Sequence, residues 1–248
     1  MACVIFCHGM PGGPADADLL RGANSDAVID ALNLLDCDAA NLDHGLKSAL
    51  DAVLANAPDA QVTLVGFSIG AMAAIRLAAM RPENVSRLVL ISPAAPLSLG
   101  DFLPDMAGRP VFELARKAPV LLHILTGFQG LIVRISPKIL INMLFAKCGP
   151  SEKELLKDAA FRDALAQGLV GSLARKPKGY LAFVSAYVAD WSDVLPDVKC
   201  PVVLWHGTKD TWSPPAMSEA LVDAFSEPAA LNLVEDGEHY STLAQAVL

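Results

Sequence analysis

Short apolar runs alternate with stretches of helical spacing along much of this 248-residue chain. Runs rich in β-branched residues predict buried strands, because a strand covered on both faces has no regular polar positions. They lie at 3–7, 62–65, 85–91, 200–205 and 229–234, and the run at 27–34 more weakly favours a strand. Helical spacing predicts helices at 41–56, 69–80 and 214–225. Since strands alternate with helices, we expect an α/β fold: a mostly parallel sheet of about six strands with helices on both faces.

The pattern changes between residues 94 and 190, where strand-like runs are hard to find. Amphipathic spacing predicts helices at 112–123, 130–147, 152–173 and 179–191, with prolines distributed among them. We therefore expect an all-helical insertion over 94–190, called the helical insertion below. It interrupts a core domain formed by residues 1–93 and 191–248.

Composition narrows the functional classes. Nineteen Lys and Arg against 27 Asp and Glu give a net charge of −8, which argues against nucleic-acid and anionic-membrane partners. The five cysteines are irregularly spaced and form no C-x-x-C pair, so we expect reduced thiols, no zinc or other metal site, and no dithiol redox centre. We see no signal peptide at the N-terminus and expect a cytoplasmic protein. Polar residues interrupt the apolar stretch at 118–135, so stable membrane insertion is not expected.

The turn between the predicted strand at 62–65 and the helix that follows it carries the sequence Gly66-Phe67-Ser68-Ile69-Gly70. A strand that reverses into a helix within two residues forces its central residue into a strained conformation. Glycines on both sides remove side chains that would collide with the neighbouring chain. The turn would hold the Ser68 hydroxyl at a helix N-terminus, where the helix dipole favours negative charge. The simpler alternative is a tight turn with an incidental serine.

Three other loops follow predicted strands. The first strand ends in His8-Gly9-Met10-Pro11, and two later strands end before Asp210 and before His239. The carboxyl ends of parallel strands meet at one edge of the sheet, so Ser68, Asp210 and His239 should lie together. We expect His8 and His206 to brace their loops rather than to catalyse.

The order serine, aspartate, histidine, with a helical insertion between the first two, resembles the α/β-hydrolase fold family over essentially the whole chain. The resemblance implies that Ser68 is the nucleophile, His239 the general base and then acid, and Asp210 the carboxylate that orients the imidazole. It also implies an oxyanion hole formed by the backbone N–H groups of Met10 and Ile69, and a lid formed by the helical insertion.

The sequence departs from the usual family pattern in two places. The first strand begins at residue 3, so the sheet should lack the first two strands of the family. Glu238 precedes His239 where the family usually has a small residue. Its carboxylate either points outward or raises the basicity of the imidazole, and the sequence leaves both possibilities open.

The leading prediction is a serine hydrolase without cofactor that cleaves a carboxylic ester, thioester or lactone of an apolar acyl group. Among the many apolar side chains, we expect Phe67, Leu125 and Phe128 to contact this small-molecule substrate. Aminopeptidase or C–C bond hydrolysis on the same triad remains an alternative, as does a non-catalytic ligand-binding protein. Lipid-surface binding through the helical insertion would require an exposed apolar patch near 121–135. A homodimer is possible through the short sheet edge.

Overall fold

A computed structural model describes residues 3–38 and 40–248. Its strands are β1 (Cys3–Cys7), β2 (Ile29–Leu32), β3 (Val62–Phe67), β4 (Val85–Ile91), β5 (Val202–Gly207) and β6 (Ala229–Val234). Within the described residues they form one six-stranded sheet in the order β2-β1-β3-β4-β5-β6, and every neighbouring pair is parallel. The predicted parallel sheet is confirmed, including the weakly indicated strand that became β2.

Helices cover both faces of the sheet, as predicted. They are α1 (Ala17–Ala23), α2 (Leu42–Leu54), α3 (Gly70–Met80), α4 (Arg109–Lys117), α5 (Pro119–Ile135), α6 (Pro137–Leu144), α7 (Pro150–Leu155), α8 (Ala159–Leu169), α9 (Pro177–Val188), α10 (Ala216–Ala224) and α11 (His239–Leu243). A π-helical turn, Val170–Arg175, continues α8. Helix α2 packs against α3, and α1 packs against α11.

The chain between β4 and β5 is helical in the described residues and contains no strand. The expected helices at 112–123 and 130–147 are each divided in two. Pro119 begins α5 and Pro137 begins α6. Proline has no N–H to donate and its ring clashes with the preceding turn, whereas both features are tolerated at the first position of a helix. Each proline therefore starts a new helix instead of lying inside a longer one.

The core lies around β3, whose six residues are all buried. Helix α3 packs so closely on this strand that a β-carbon at Gly66 would lie only 2.6 Å from the Cα atom of Ala71. The side chain of His8, buried at the end of β1, accepts a hydrogen bond from the Leu34 N–H at 3.1 Å. This bond ties the loop after β1 to the chain that follows β2, which is the bracing role expected of His8.

The described residues contain no single helix long and apolar enough to cross a membrane. Helices α5 and α6 satisfy that criterion only together, and they are bent by 119° relative to each other. All five cysteines are free thiols. No cluster of three potential metal-ligating side chains occurs in residues 3–38 and 40–248.

Candidate active site

Ser68 lies at a strained turn between β3 and α3. Its φ angle is 54°, in the left-handed region that residues other than glycine rarely adopt. A β-carbon at Gly70 would collide with the carbonyl oxygens of Cys7 and His8, which belong to the backbone and cannot move aside. The two glycines of the motif thus permit the close approach of β1, β3 and α3. The turn presents Ser68 to a cavity under the helical insertion.

Asp210 and His239 form a buried hydrogen-bonded pair beside this turn. The His239 Nδ1–H donates to Asp210 Oδ2 at 2.8 Å. The other carboxylate oxygen, Oδ1, accepts from the N–H groups of Trp212 and Ser213 at 2.8 and 3.0 Å. With both oxygens bonded, the carboxylate is fixed in orientation and holds the proton of the imidazole on Nδ1.

Opposing effects act on the pKa of Asp210. Burial by itself raises this pKa, but the neighbouring charge and hydrogen bond of His239, with smaller help from the Ser213 N–H, leave it below its ordinary value. Asp210 therefore remains an anion at neutral pH despite its burial.

His206 braces the loop that carries Asp210. Its Nε2–H donates to the carbonyl oxygen of Ser213 at 2.7 Å, and its Nδ1 accepts from the Ser218 hydroxyl at 2.6 Å. Burial lowers the pKa of this imidazole, although the charge of Asp210 opposes the change. A neutral His206 with both nitrogens occupied supports the loop, as the sequence predicted.

Aromatic rings and a hydroxyl hold His239 in place. Its imidazole stacks on Trp212 with ring centroids 5.5 Å apart and an interplanar angle of 12°. The ring of Phe67 lies 4.8 Å away on another side. The Ser92 hydroxyl donates to the backbone carbonyl of His239 at 3.2 Å. The imidazole is therefore confined before any ligand binds.

The two predicted oxyanion donors belong to different segments, Met10 to the loop after β1 and Ile69 to the start of α3. Met10 and Ile69 line the same cavity as the serine. In the described part of the chain, the N–H groups of Met10 and Ile69 donate to no backbone or side-chain acceptor. Unpaired backbone donors at a cavity wall can bind a carbonyl oxygen that gains negative charge.

The cavity has a volume of about 470 Å³ and a largely apolar lining. Leu125, one of the predicted contact residues, lines it. The structure does not bring the other two to its wall. Phe67 is fully buried beneath the site, because it belongs to a central strand and packs on His239. Phe128 is 61% exposed on the outer face of α5, because it is rotated by about 60° from Leu125 toward solvent.

Two glutamates join the helical insertion to the loop of His239. The Glu238 carboxylate accepts hydrogen bonds from the N–H groups of Gly149 and Glu152, the latter at 2.9 Å, at the start of α7. In return, Glu152 Oε1 accepts from the N–H groups of Tyr240 and Ser241 at 2.5 and 3.2 Å, at the start of α11. We call this reciprocal pair the carboxylate clasp. The Glu238 side chain is therefore buried against the insertion and does not point outward into solvent.

Glu152 was not predicted from the sequence as a functional residue, and its carboxyl group is buried. Burial raises its pKa to about 7, although the charge of His239 and the N–H groups of Ser241 and Tyr240 oppose this. Its second carboxylate oxygen is buried without a hydrogen-bond partner. A carboxyl group in this environment retains a proton at pH values where an exposed glutamate is ionised.

The clasp predicts a pH-dependent stability difference between wild type and Glu152→Gln. The folded protein keeps the Glu152 proton up to about pH 7, whereas the unfolded chain releases it near pH 4.5. The free energy of unfolding should therefore fall as pH rises between these values, by roughly 1–3 kcal/mol. Glutamine does not titrate, so E152Q should lack this loss when denaturant unfolding is measured at pH 5 and pH 8.

Glu154 provides the matched control, because it lies on the same helix with 72% of its side chain exposed. E154Q should follow the pH dependence of wild type. Equal slopes for wild type and E152Q would show that Glu152 titrates normally in the folded protein.

Comparison with known proteins identifies the family of this chain. The model of the alpha/beta hydrolase family matches residues 4–247. Pimeloyl-[acyl-carrier protein] methyl ester esterase from Neisseria meningitidis serogroup C is 28% identical over 190 residues, which are 71% of this chain and 61% of that protein. The chain thus spans less than two thirds of that relative's length.

Two further similarities extend the comparison. Lipase LipV from Mycobacterium tuberculosis is 50% identical over 50 residues, which are 20% of this chain and 19% of that protein. The enol-lactonase from Burkholderia xenovorans LB400 shares the fold with a TM-score of 0.64 and 16% identity, over 97% of this chain and 85% of that one. Because the family match runs along nearly the whole chain, this protein belongs to the alpha/beta hydrolase family.

Proposed function

We propose that this protein is a hydrolase that cleaves a carboxylic ester of an apolar acyl group through an acyl-enzyme on Ser68. One observation carries the proposal: the hydrogen-bonded Asp210–His239 pair lies at the same sheet edge as a serine held at φ 54° beside a cavity. A serine hydroxyl is a weak nucleophile unless a positioned base removes its proton. This arrangement provides the base, its orienting carboxylate and the strained serine together.

In the first half of the proposed reaction, Ser68 Oγ attacks the ester carbonyl carbon while His239 Nε2 takes its proton. Asp210 stabilises the imidazolium that forms. The N–H groups of Met10 and Ile69 bind the oxyanion of the tetrahedral intermediate. The intermediate then collapses, and the departing alkoxide takes the proton from His239 and leaves as the alcohol.

Water completes the second half. His239 removes a proton from the water as the water oxygen attacks the acyl carbon. The second tetrahedral intermediate expels Ser68 Oγ, which recovers the proton from His239, and the carboxylic acid leaves. Within residues 3–38 and 40–248, no hydrogen bond joins Ser68 Oγ to His239. Such bonds are commonly long in unliganded hydrolases and shorten when substrate binds.

The substrate class follows from the cavity and from the relatives. Its lining includes Leu125, Leu140, Leu173 and Val184, and a volume of about 470 Å³ is in the range of small-molecule sites. One relative is named for a methyl ester and one fold neighbour for a lactone. Carboxylic esters and lactones both present a carbonyl carbon with an alkoxide leaving group. We therefore propose carboxylic esters as the first substrate class and lactones as the second.

The size of the cavity should limit the length of the acyl chain that the protein accepts. p-Nitrophenyl esters of graded length measure this preference. Leu125→Trp adds bulk to the cavity wall and should reduce kcat/KM for long acyl chains by about tenfold or more relative to short ones. Leu131→Trp is the matched control, because Leu131 lies on the same helix with its side chain exposed. An identical chain-length profile for L125W and wild type would mean that the acyl group binds elsewhere.

A further inference from the structure

The outer face of helix α5 presents an uncovered row of large apolar side chains. Its members are each more than half exposed: Val120, Leu121, Ile124, Phe128, Leu131 and Ile135. Ile139 and Met143 continue the row along α6 and are 47% and 63% exposed. We call these eight residues the apolar stripe. Soluble monomers rarely expose so many contiguous large apolar side chains without a function for them.

The stripe is one side of an amphipathic helix. Successive helical residues are rotated by about 100°, so the six stripe residues of α5 share one arc of roughly 100°. Leu122, Thr126 and Val133 occupy the opposite arc and are buried against the protein. Leu125 and Gln129 lie between the two arcs and line the cavity. The stripe therefore adjoins the wall of the candidate active site.

Along the sequence, the charged residues within and next to the stripe are all basic. Residues 114–151 contain five Lys and Arg and no Asp or Glu, in a chain whose net charge is −8. Arg116 and Lys117 end α4 next to the start of the stripe, and Lys138 lies beside Ile139 on α6; all three are exposed. The net negative charge of the whole chain argued against an anionic-membrane partner, but this segment is locally basic and apolar.

We propose that the apolar stripe docks on an anionic lipid surface, with α5 and α6 lying in the membrane interface. A helix with one apolar face and flanking basic side chains inserts that face at the boundary between headgroups and acyl chains. The basic side chains add attraction to anionic headgroups. The bend of 119° between α5 and α6 means that the two helices do not form one straight span.

Charge favours a lipid surface over a second copy of this chain. A two-fold interface would bring the same patch of both copies together, so the positive charges of Arg116, Lys117 and Lys138 would face a patch of the same sign. An anionic surface instead compensates all three charges. Met143 connects this surface to the site, because its side chain belongs to the stripe and also lines the cavity. An apolar ester dissolved in the lipid would thus meet the cavity at its edge.

The test is flotation of the purified full chain with vesicles of phosphatidylglycerol and phosphatidylcholine in equal amounts, compared with phosphatidylcholine alone. Wild type should float with the anionic vesicles, and 0.5 M NaCl should weaken its binding. The double variant I124Q/I135Q should lower the partition coefficient at least about tenfold, and K117Q/K138Q several-fold. Leu233→Gln and Lys47→Gln, at exposed positions outside the helical insertion, should bind as wild type does.

Circular dichroism and thermal unfolding establish that each variant is folded. Absence of wild-type binding to anionic vesicles would overturn the proposal, as would equal binding by I124Q/I135Q. A concentration-dependent dimer that I124Q/I135Q abolishes, without vesicle binding, would assign the stripe to a second copy instead. Flotation measures binding and not turnover, so it is independent of the proposed esterase activity.

Discussion

Ser68→Ala should reduce ester hydrolysis by about 10⁴-fold or more, with the fold unchanged. The proposed reaction passes through a covalent bond to Ser68 Oγ, and the substitution removes that atom. It should cause little structural change, because alanine keeps the β-carbon that the turn already accommodates at φ 54°. Residual activity would come from the oxyanion donors and binding alone. The measurement is kcat/KM for a p-nitrophenyl ester, with the melting temperature of both proteins.

Ser185→Ala is the matched control, because Ser185 is exposed on α9. It should retain wild-type kcat/KM. Retention of more than about a tenth of the activity in S68A, with contaminating esterases excluded by parallel purification of both variants, would contradict Ser68 as the nucleophile.

Asp210→Asn should lower kcat by about 10³- to 10⁴-fold while KM changes little. The amide oxygen of asparagine would remain with the Trp212 and Ser213 N–H groups that now bind Oδ1. Its NH₂ group would then face His239 Nδ1 and donate to it, which moves the imidazole proton to Nε2. A protonated Nε2 cannot accept the proton of Ser68. The imidazolium would also lose its compensating charge.

Asp236→Asn tests whether the loss of kcat in D210N is specific to the Asp210–His239 pair. Asp236 is exposed in the loop just before His239, and its positive φ of 54° suits asparagine as well as aspartate. D236N should therefore keep wild-type kcat. Equal losses in D210N and D236N would indicate disturbance of the loop rather than of the proton on Nδ1.

The parts of the fold that follow from short-range sequence patterns were predictable. Strands β1, β4 and β6 have the bounds that their apolar runs indicate. The burial expected for these runs holds for most of β1 and β4 but not for β6, because β6 is the edge strand of the sheet and Leu233 is 55% exposed. The placement of Ser68, Asp210 and His239 after strands of one parallel sheet was predictable from topology, since loops after parallel strands share one edge of the sheet. Neither inference required knowledge of side-chain packing.

Packing between distant segments was not predictable in the same way. Glu152 and Glu238 are 86 residues apart, and only the docking of α7 on the start of α11 brings their carboxylates to the opposite helix N-terminus. The direction of Phe128 depends on which face of α5 meets the protein. The helices expected at 112–123 and 130–147 left residues 124–129 between them, whereas α5 runs through them. Without a helix expected there, the exposed side that carries Phe128 could not be told from the side that carries Leu125.

The central claim is that Ser68 is an activated nucleophile, and covalent labelling with a fluorophosphonate tests it most directly. Intact-mass measurement should show one added phosphonyl group on wild type and none on S68A, and peptide mapping should place the group on Ser68. D210N should label far more slowly than wild type, because its His239 no longer accepts the serine proton. No labelling of the folded wild type, or equal labelling of S68A, would contradict the account.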